Sequence, residues 1–205
     1  MKLKVCGMRE HGNIKALADL KPDYMGFIFW APSSRYVTKE TPSLPAHIKK
    51  VGVFVDASLD YIQSVVTSHE LQAVQLHGIE TTEYCELIQS LGVEVIKAFS
   101  IKEDFDFSVL EEYENNCNYF LFDTKGALPG GNGVGFDWNI LNHYPSEKPF
   151  FLSGGIGLEH ISELKIILNT SLPLYAIDVN SKFESVPGIK KIDVLKQFKK
   201  ELYEL

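Results

Sequence analysis

Cys6, Asp123, Arg35 and two Gly/Ser-rich turns are the residues of this sequence whose types and placement suit proton transfer and anion binding. Cys6 closes the short run Leu3-Lys4-Val5-Cys6 and precedes Gly7. A thiolate there serves as base or nucleophile where a cation or helix terminus lowers its pKa; without such help a cysteine packs as a small hydrophobe. Position alone leaves both readings of Cys6 open. Asp123 follows Tyr119-Phe120-Leu121-Phe122, so its carboxyl is partly desolvated, which favours the neutral, proton-donating form. Capping a turn is its alternative role.

Arg35 stands beside Pro32, Ser33 and Ser34, and its guanidinium fork matches a carboxylate or phosphate when it is not simply solvated. Ser153-Gly154-Gly155-Ile156 and, one unit later, Asn180-Ser181-Lys182-Phe183 pair a glycine-rich turn with a serine-bearing one. Such a pair suits a phosphate held by backbone amides, and a plain Gly-Gly turn is the alternative. His77, in Val74-Gln75-Leu76-His77-Gly78, reads as a structural hydrogen-bonding residue ahead of an acid or base. Asp56, Gln75, Lys97 and Asp178 complete a set of polar residues at the ends of apolar runs.

These residues need a scaffold that gathers run ends. Eight short runs recur: Leu3–Cys6, Tyr24–Phe29, Lys50–Val55, Ala73–Leu76, Val93–Ala98, Tyr119–Phe122, Pro149–Leu152 and Leu174–Val179. Rich in Val, Ile, Phe and Tyr, they suit parallel strands buried on both faces. Helical spacing appears between them, as in Ile14, Leu17, Ala18 and in Ile161, Leu164, Ile167, Leu168. Strand–helix alternation through eight units predicts a single (β/α)₈ barrel over residues 1–205, of α/β class and phosphate-binding type, with a doubly wound open sheet as the alternative. In a barrel, all the polar run ends named above line one catalytic face. The Gly-rich stretch Thr124–Gly135 falls on that face too, as a long functional loop.

Composition narrows the function. The 205 residues carry a net charge of -7, with 45% hydrophobic and 23% charged residues, which fits a self-folding globular chain and tells against a nucleic-acid surface. Cys6, Cys85 and Cys117 are odd in number and far apart, so neither a disulfide framework nor a zinc site is expected. Without a secretory or membrane-spanning stretch, the expected location is the cytoplasm. A barrel buries its helices' inner faces without a partner, so a monomer is expected, with a homodimer as the alternative.

In order and spacing, Lys4-Val5-Cys6-Gly7-Met8, Gly26-Phe27-Ile28-Phe29, Ser33-Ser34-Arg35-Tyr36-Val37 and Val51-Gly52-Val53-Phe54-Val55 resemble the phosphoribosylanthranilate isomerase family of tryptophan biosynthesis. The resemblance continues through Val74–Gly78, Phe122-Asp123-Thr124, Gly130–Gly135 with Phe136-Asp137-Trp138, Ser153–Ile156 and Asp178-Val179-Asn180-Ser181. It implies the Amadori rearrangement of N-(5-phosphoribosyl)anthranilate to 1-(2-carboxyphenylamino)-1-deoxyribulose 5-phosphate, without cofactor or metal. By the same resemblance Cys6 is the base at C2′ and Asp123 the acid at the ring oxygen. Arg35 holds the anthranilate carboxylate, the amides around Gly154, Gly155, Ser181 and Lys182 hold the phosphate, Asp178 lies at the floor between them, and His77 joins the substrate-binding set.

Three positions depart from the family pattern. Lys182-Phe183-Glu184 stands where Gly-Val-Glu is usual, Gly131-Asn132-Gly133 where Gly-Thr-Gly is usual, and Ser34 where proline is common. The nearest rival, a histidine-pathway isomerase of similar chemistry, has aspartate in place of Cys6. A catalytically silent phosphosugar-binding protein is a second rival, against which Cys6, Asp123 and Arg35 stand together.

Overall fold

The computed structural model describes residues 1–124 and 138–204. Its main strands are β1 (Lys2–Val5), β2 (Tyr24–Ile28), β3 (Lys49–Phe54), β4 (Ala73–Leu76), β5 (Glu94–Ile101), β6 (Tyr119–Thr124), β7 (Phe150–Ser153) and β8 (Leu174–Val179). They match the eight apolar runs to within a few residues. Each pairs in parallel with the next, and β8 returns to β1 with Lys4 opposite Asp178, so the sheet closes into a barrel. The open-sheet alternative is thereby excluded.

Alternation along the strands sorts residues into two cores. Tyr24, Val51, Ala73, Ile96, Leu121, Phe151 and Ala176 point inward and form an apolar plug inside the barrel. Their neighbours, such as Met25, Val74, Val95, Phe120, Phe122, Phe150 and Ile177, point outward and pack in a larger cluster with the helices. Burying one such side chain is worth about 1.5–3 kcal/mol before entropy is counted. Two residues beyond the plug, the same inward faces carry Gly26, Val53, Gln75, Ala98, Asp123, Ser153 and Asp178. On β4, β6, β7 and β8 the inward face thus changes from apolar to polar within one strand period, at Gln75, Asp123, Ser153 and Asp178, which sets the floor of the site.

The outer layer holds α1 (His11–Ala18), α2 (Leu59–His69), α3 (Thr82–Gln89), α4 (Ile161–Leu168) and α5 (Ile192–Tyr203). Ser58 and Thr81 cap α2 and α3, their side chains accepting from the N–H groups of Tyr61 and Tyr84. The expected helix is missing after three strands. Residues 29–48 contain Pro32, Pro42 and Pro45, which interrupt any helical ladder, and form no regular element. After β5 and β6 the chain forms 3₁₀ turns, Phe107–Tyr113 and Trp138–His143. Apolar residues in and just after them, Phe107, Leu110, Tyr113 and Trp138, Leu141, Tyr144, recur every third position, the period of a 3₁₀ helix.

After β8, a short turn at Ser181–Phe183 leads into a hairpin, β9 (Glu184–Val186) and β10 (Ile189–Lys190), which sequence reading did not anticipate. Of the Gly-rich stretch Thr124–Gly135, only Thr124 lies among the described residues.

Candidate active site

A cavity of about 570 Å³ opens at the C-terminal ends of the strands, and Cys6, Gln75, His77, Asp123 and Asp178 line it together with Ser153–Gly155 and Asn180–Ser181. Two glycines make the arrangement sterically feasible. A Cβ at Gly26 would lie 2.7 Å from Cys6 Sγ, so β2 must be bare where the thiol sits. Gly154 has φ of +113° and passes so close to β6 that a Cβ would stand 2.0 Å from the Thr124 carbonyl oxygen.

Lys4, two residues before Cys6 and on the same inward face, is fully buried. Its Nζ donates to Asp178 Oδ2 at 2.6 Å and to Gln75 Oε1 at 2.8 Å. Burial works to strip its proton, but Asp178 and the Cys6 sulfur outweigh that and hold the lysine charged. Gln75 Nε2 lies 2.9 Å from His77 Nδ1, and His77 Nε2 lies 3.5 Å from Asp123 Oδ2. Asp178 Oδ1 is buried with no hydrogen-bond partner among the described residues.

Burial pushes the Cys6 thiol above its ordinary pKa, while Lys4, Lys190 and the Gly7 N–H pull in the opposite sense. Burial likewise raises the carboxyl of Asp178 against the pull of Lys4. A charged lysine beside a desolvated thiol and a carboxyl with one unused oxygen form a site where proton positions are finely balanced.

The structure therefore brings Cys6, Asp123, His77, Asp178, Gly154, Gly155 and Ser181 to one cavity wall. Arg35 and Lys182 stand off it. Arg35 is engaged by Glu184, with Nε at 2.9 and 3.0 Å from the two carboxylate oxygens and Nη2 at 2.5 Å from one of them. Arg35, Lys190 and the Gly188 N–H hold that carboxyl down to about 2 although burial opposes them. Lys182 Nζ lies 2.7 Å from Glu159 Oε1, an exposed pair bridging the loops after β7 and β8. Asp56 and Lys97, also expected on the wall, are turned to other work: Asp56 Oδ1 accepts from the Ile79 N–H, and Lys97 is buried against Glu80.

Sequence reading missed Lys4, Glu184 and Lys190. Lys4 was detectable as a lysine inside an apolar run at strand spacing from Cys6; the other two depend on a hairpin with no strong pattern of its own. Among the described residues, no three His, Cys, Asp or Glu side chains are grouped as a metal ion would need.

The family model described as N-(5′-phosphoribosyl)anthranilate (PRA) isomerase matches residues 3–201, nearly the whole chain. The chain belongs to the N-(5′-phosphoribosyl)anthranilate isomerase family. It is an isomerase of the tryptophan pathway, and the expectation drawn from its motifs holds. The N-(5′-phosphoribosyl)anthranilate isomerase of Parabacteroides distasonis is 44% identical over 205 residues, covering 97% of this chain and 91% of its own. A crystal structure of the family in complex with reduced 1-(o-carboxyphenylamino)-1-deoxyribulose 5-phosphate superimposes with a TM-score of 0.83 at 29% identity, covering both chains completely. A crystal structure of generated monomers of the dimeric Thermotoga maritima enzyme gives a TM-score of 0.80 at 27% identity with the same full coverage.

Proposed function

We propose that this isomerase converts N-(5′-phosphoribosyl)anthranilate to its ribulose product with Asp123 as general acid and Cys6 as general base. The supporting observation is that both side chains face one cavity, Cys6 from the end of β1 and Asp123 from β6, with the glycine- and serine-bearing turns of the intervening β7 and β8 on the rim between them. Asp123 gives its proton to the ribose ring oxygen as the C1′–O bond breaks, and the anilinic nitrogen's lone pair forms the iminium. Cys6 then takes the proton from C2′, and the enol so formed tautomerises to the ketone. The two groups must start in opposite protonation states in one pocket. Lys4 supports the thiolate, and the positive iminium strengthens that support when the base is needed.

The phosphate is assigned to Gly154, Gly155 and Ser181, with Lys182 adding charge at the rim. Among the described residues, no backbone acceptor takes the N–H of Gly154 or Gly155. Arg35 is assigned to the anthranilate carboxylate, already oriented by Glu184 at the foot of the hairpin. A phosphosugar is thus the partner; no described helix is long and apolar enough to cross a membrane. A monomer in the cytoplasm, folding as one unit over residues 1–205, completes the proposal. Light scattering and coincident urea transitions by two probes check the oligomeric state and the single unit.

The deciding assay follows the fluorescence of freshly made N-(5′-phosphoribosyl)anthranilate. The purified protein should accelerate its loss well beyond spontaneous breakdown, and no acceleration would end this reading.

A further inference from the structure

Consecutive contacts link the two sides of the cavity: Asp178 Oδ2 to Lys4 Nζ, Lys4 Nζ to Gln75 Oε1, Gln75 Nε2 to His77 Nδ1, and His77 Nε2 to Asp123 Oδ2. Chemistry gives this chain a direction. An ammonium has three donors and no acceptor, so the Gln75 atom facing Lys4 is the carbonyl oxygen. The other end of the amide is then the NH₂ group, which only donates. Nδ1 of His77 must accept from it and carries no proton. A neutral imidazole keeps its one proton on the remaining nitrogen, Nε2, which faces Asp123.

We propose that Gln75 is a positioning residue of the isomerase: its amide, oriented by Lys4, locks His77 in the Nε2–H tautomer, so that a fixed donor faces the Asp123 carboxyl. The inference rests on Asp123 being the acid and adds what steadies the carboxylate it leaves behind. When Asp123 hands its proton to the ring oxygen, negative charge appears on its carboxylate and the His77 N–H stabilises it. No proton crosses His77 or leaves Gln75. The two atoms stand 3.5 Å apart, and this separation must shorten to a charge-assisted hydrogen bond as negative charge develops on the oxygen. In the other tautomer His77 would turn a lone pair toward that charge.

The variant that tests this is Gln75→Glu, which keeps an oxygen for Lys4 and the same shape but replaces the donor facing His77 with an acceptor. ¹⁵N NMR of histidine-labelled enzyme reads the tautomer, with His77 assigned among the six histidines by the signal lost in His77→Gln. In the wild type, Nε2 is expected protonated and Nδ1 bare. In Gln75→Glu, Nδ1 gains a proton and kcat falls about a hundredfold, with KM changed far less. His77→Gln supplies a side-chain N–H with no tautomer to choose, so it keeps kcat within about tenfold of wild type. In that background Gln75→Glu costs much less than it does alone, as expected for residues acting in series.

A wild-type His77 protonated on Nδ1 overturns the proposal, and that measurement stands even if Gln75→Glu does not fold. A switched tautomer with wild-type kcat, or additive losses in the double variant, overturns it as well. The wild-type spectrum does not depend on the role of Asp123, whereas full turnover by Asp123→Asn would remove the acid assignment and leave the tautomer in place.

Discussion

Lys97–Glu80 and Lys4–Asp178 are both buried lysine–carboxylate pairs, at 2.9 and 2.6 Å, but Lys97 lies on the outward face of β5, between Ile96 and Ala98, whereas Lys4–Asp178 lies inside the barrel and reaches the cavity through Asp178. Glu80 is saturated: its oxygens accept from the N–H groups of Asp56 and Gly78 as well as from Lys97, and Lys97 also donates to the Gly78 carbonyl at 2.8 Å. That closed set ties the loops after β3 and β4 to β5. Asp178 gives one oxygen to Lys4 and, among the described residues, leaves the other without a partner. A complete buried pair holds structure, while an incomplete one keeps hydrogen-bonding capacity for a substrate.

The largest effect is expected at the acid itself, next to the unsaturated pair. Asp123→Asn should lower kcat by about 10²- to 10⁴-fold with the fold intact, and Cys6→Ser should do likewise; wild-type turnover by either variant removes that residue from the proton-transfer pair. Breaking the saturated pair acts on stability instead. Lys97→Met leaves Glu80 charged and buried, and urea unfolding should show a loss of about 3–5 kcal/mol while KM of the folded fraction stays near wild type. Asp178→Asn, which retains an acceptor for Lys4, should cost less stability but lower kcat/KM. If the two variants exchanged these signatures, the contrast between the pairs would be wrong.

A third buried pair, Lys190–Glu184, sharpens the comparison through pH. The Glu184 carboxyl is held at about 2 in the fold against an ordinary 4.5. A depressed carboxylate contributes stability that is fully present above pH 4.5 and is lost as pH falls toward 2, worth about 3 kcal/mol in total. Urea midpoints between pH 5 and pH 2.5 should fall more steeply for the wild type than for Glu184→Gln; equal slopes would mean that Glu184 is not held down. The smallest effect belongs to the exposed Lys182–Glu159 pair, where Lys182→Gly should move stability by about 1 kcal/mol or less. The same variant should raise KM for the phosphosugar a few-fold at low salt, and an unchanged KM would free Lys182 of its phosphate assignment.

Much of this protein was legible in its residues. Eight apolar runs of strand composition can bury both faces only in a closed or covered parallel sheet, so the barrel followed from pattern, and Cys6, Asp123, Asp178 and Gly154 followed from run ends. Ser58 and Thr81 were readable as caps in principle, and Pro32, Pro42 and Pro45 as the reason one helix is absent. The 3₁₀ turns escaped because period three and period 3.6 differ little over six residues.

What the tertiary structure alone decided is which polar residue meets which. Lys4 and Asp178 are 174 positions apart, and closure of β8 onto β1 makes them partners. Arg35 meets Glu184 because the hairpin after β8 brings that carboxylate to it, and Lys97, on the outward phase of β5 between Ile96 and Ala98, finds its partner in Glu80 of the loop after β4. Residue type and period are local properties that a chain displays before it folds. Partnership, burial and the proton positions that depend on them arise only when strands distant in sequence are brought within a few ångströms of one another.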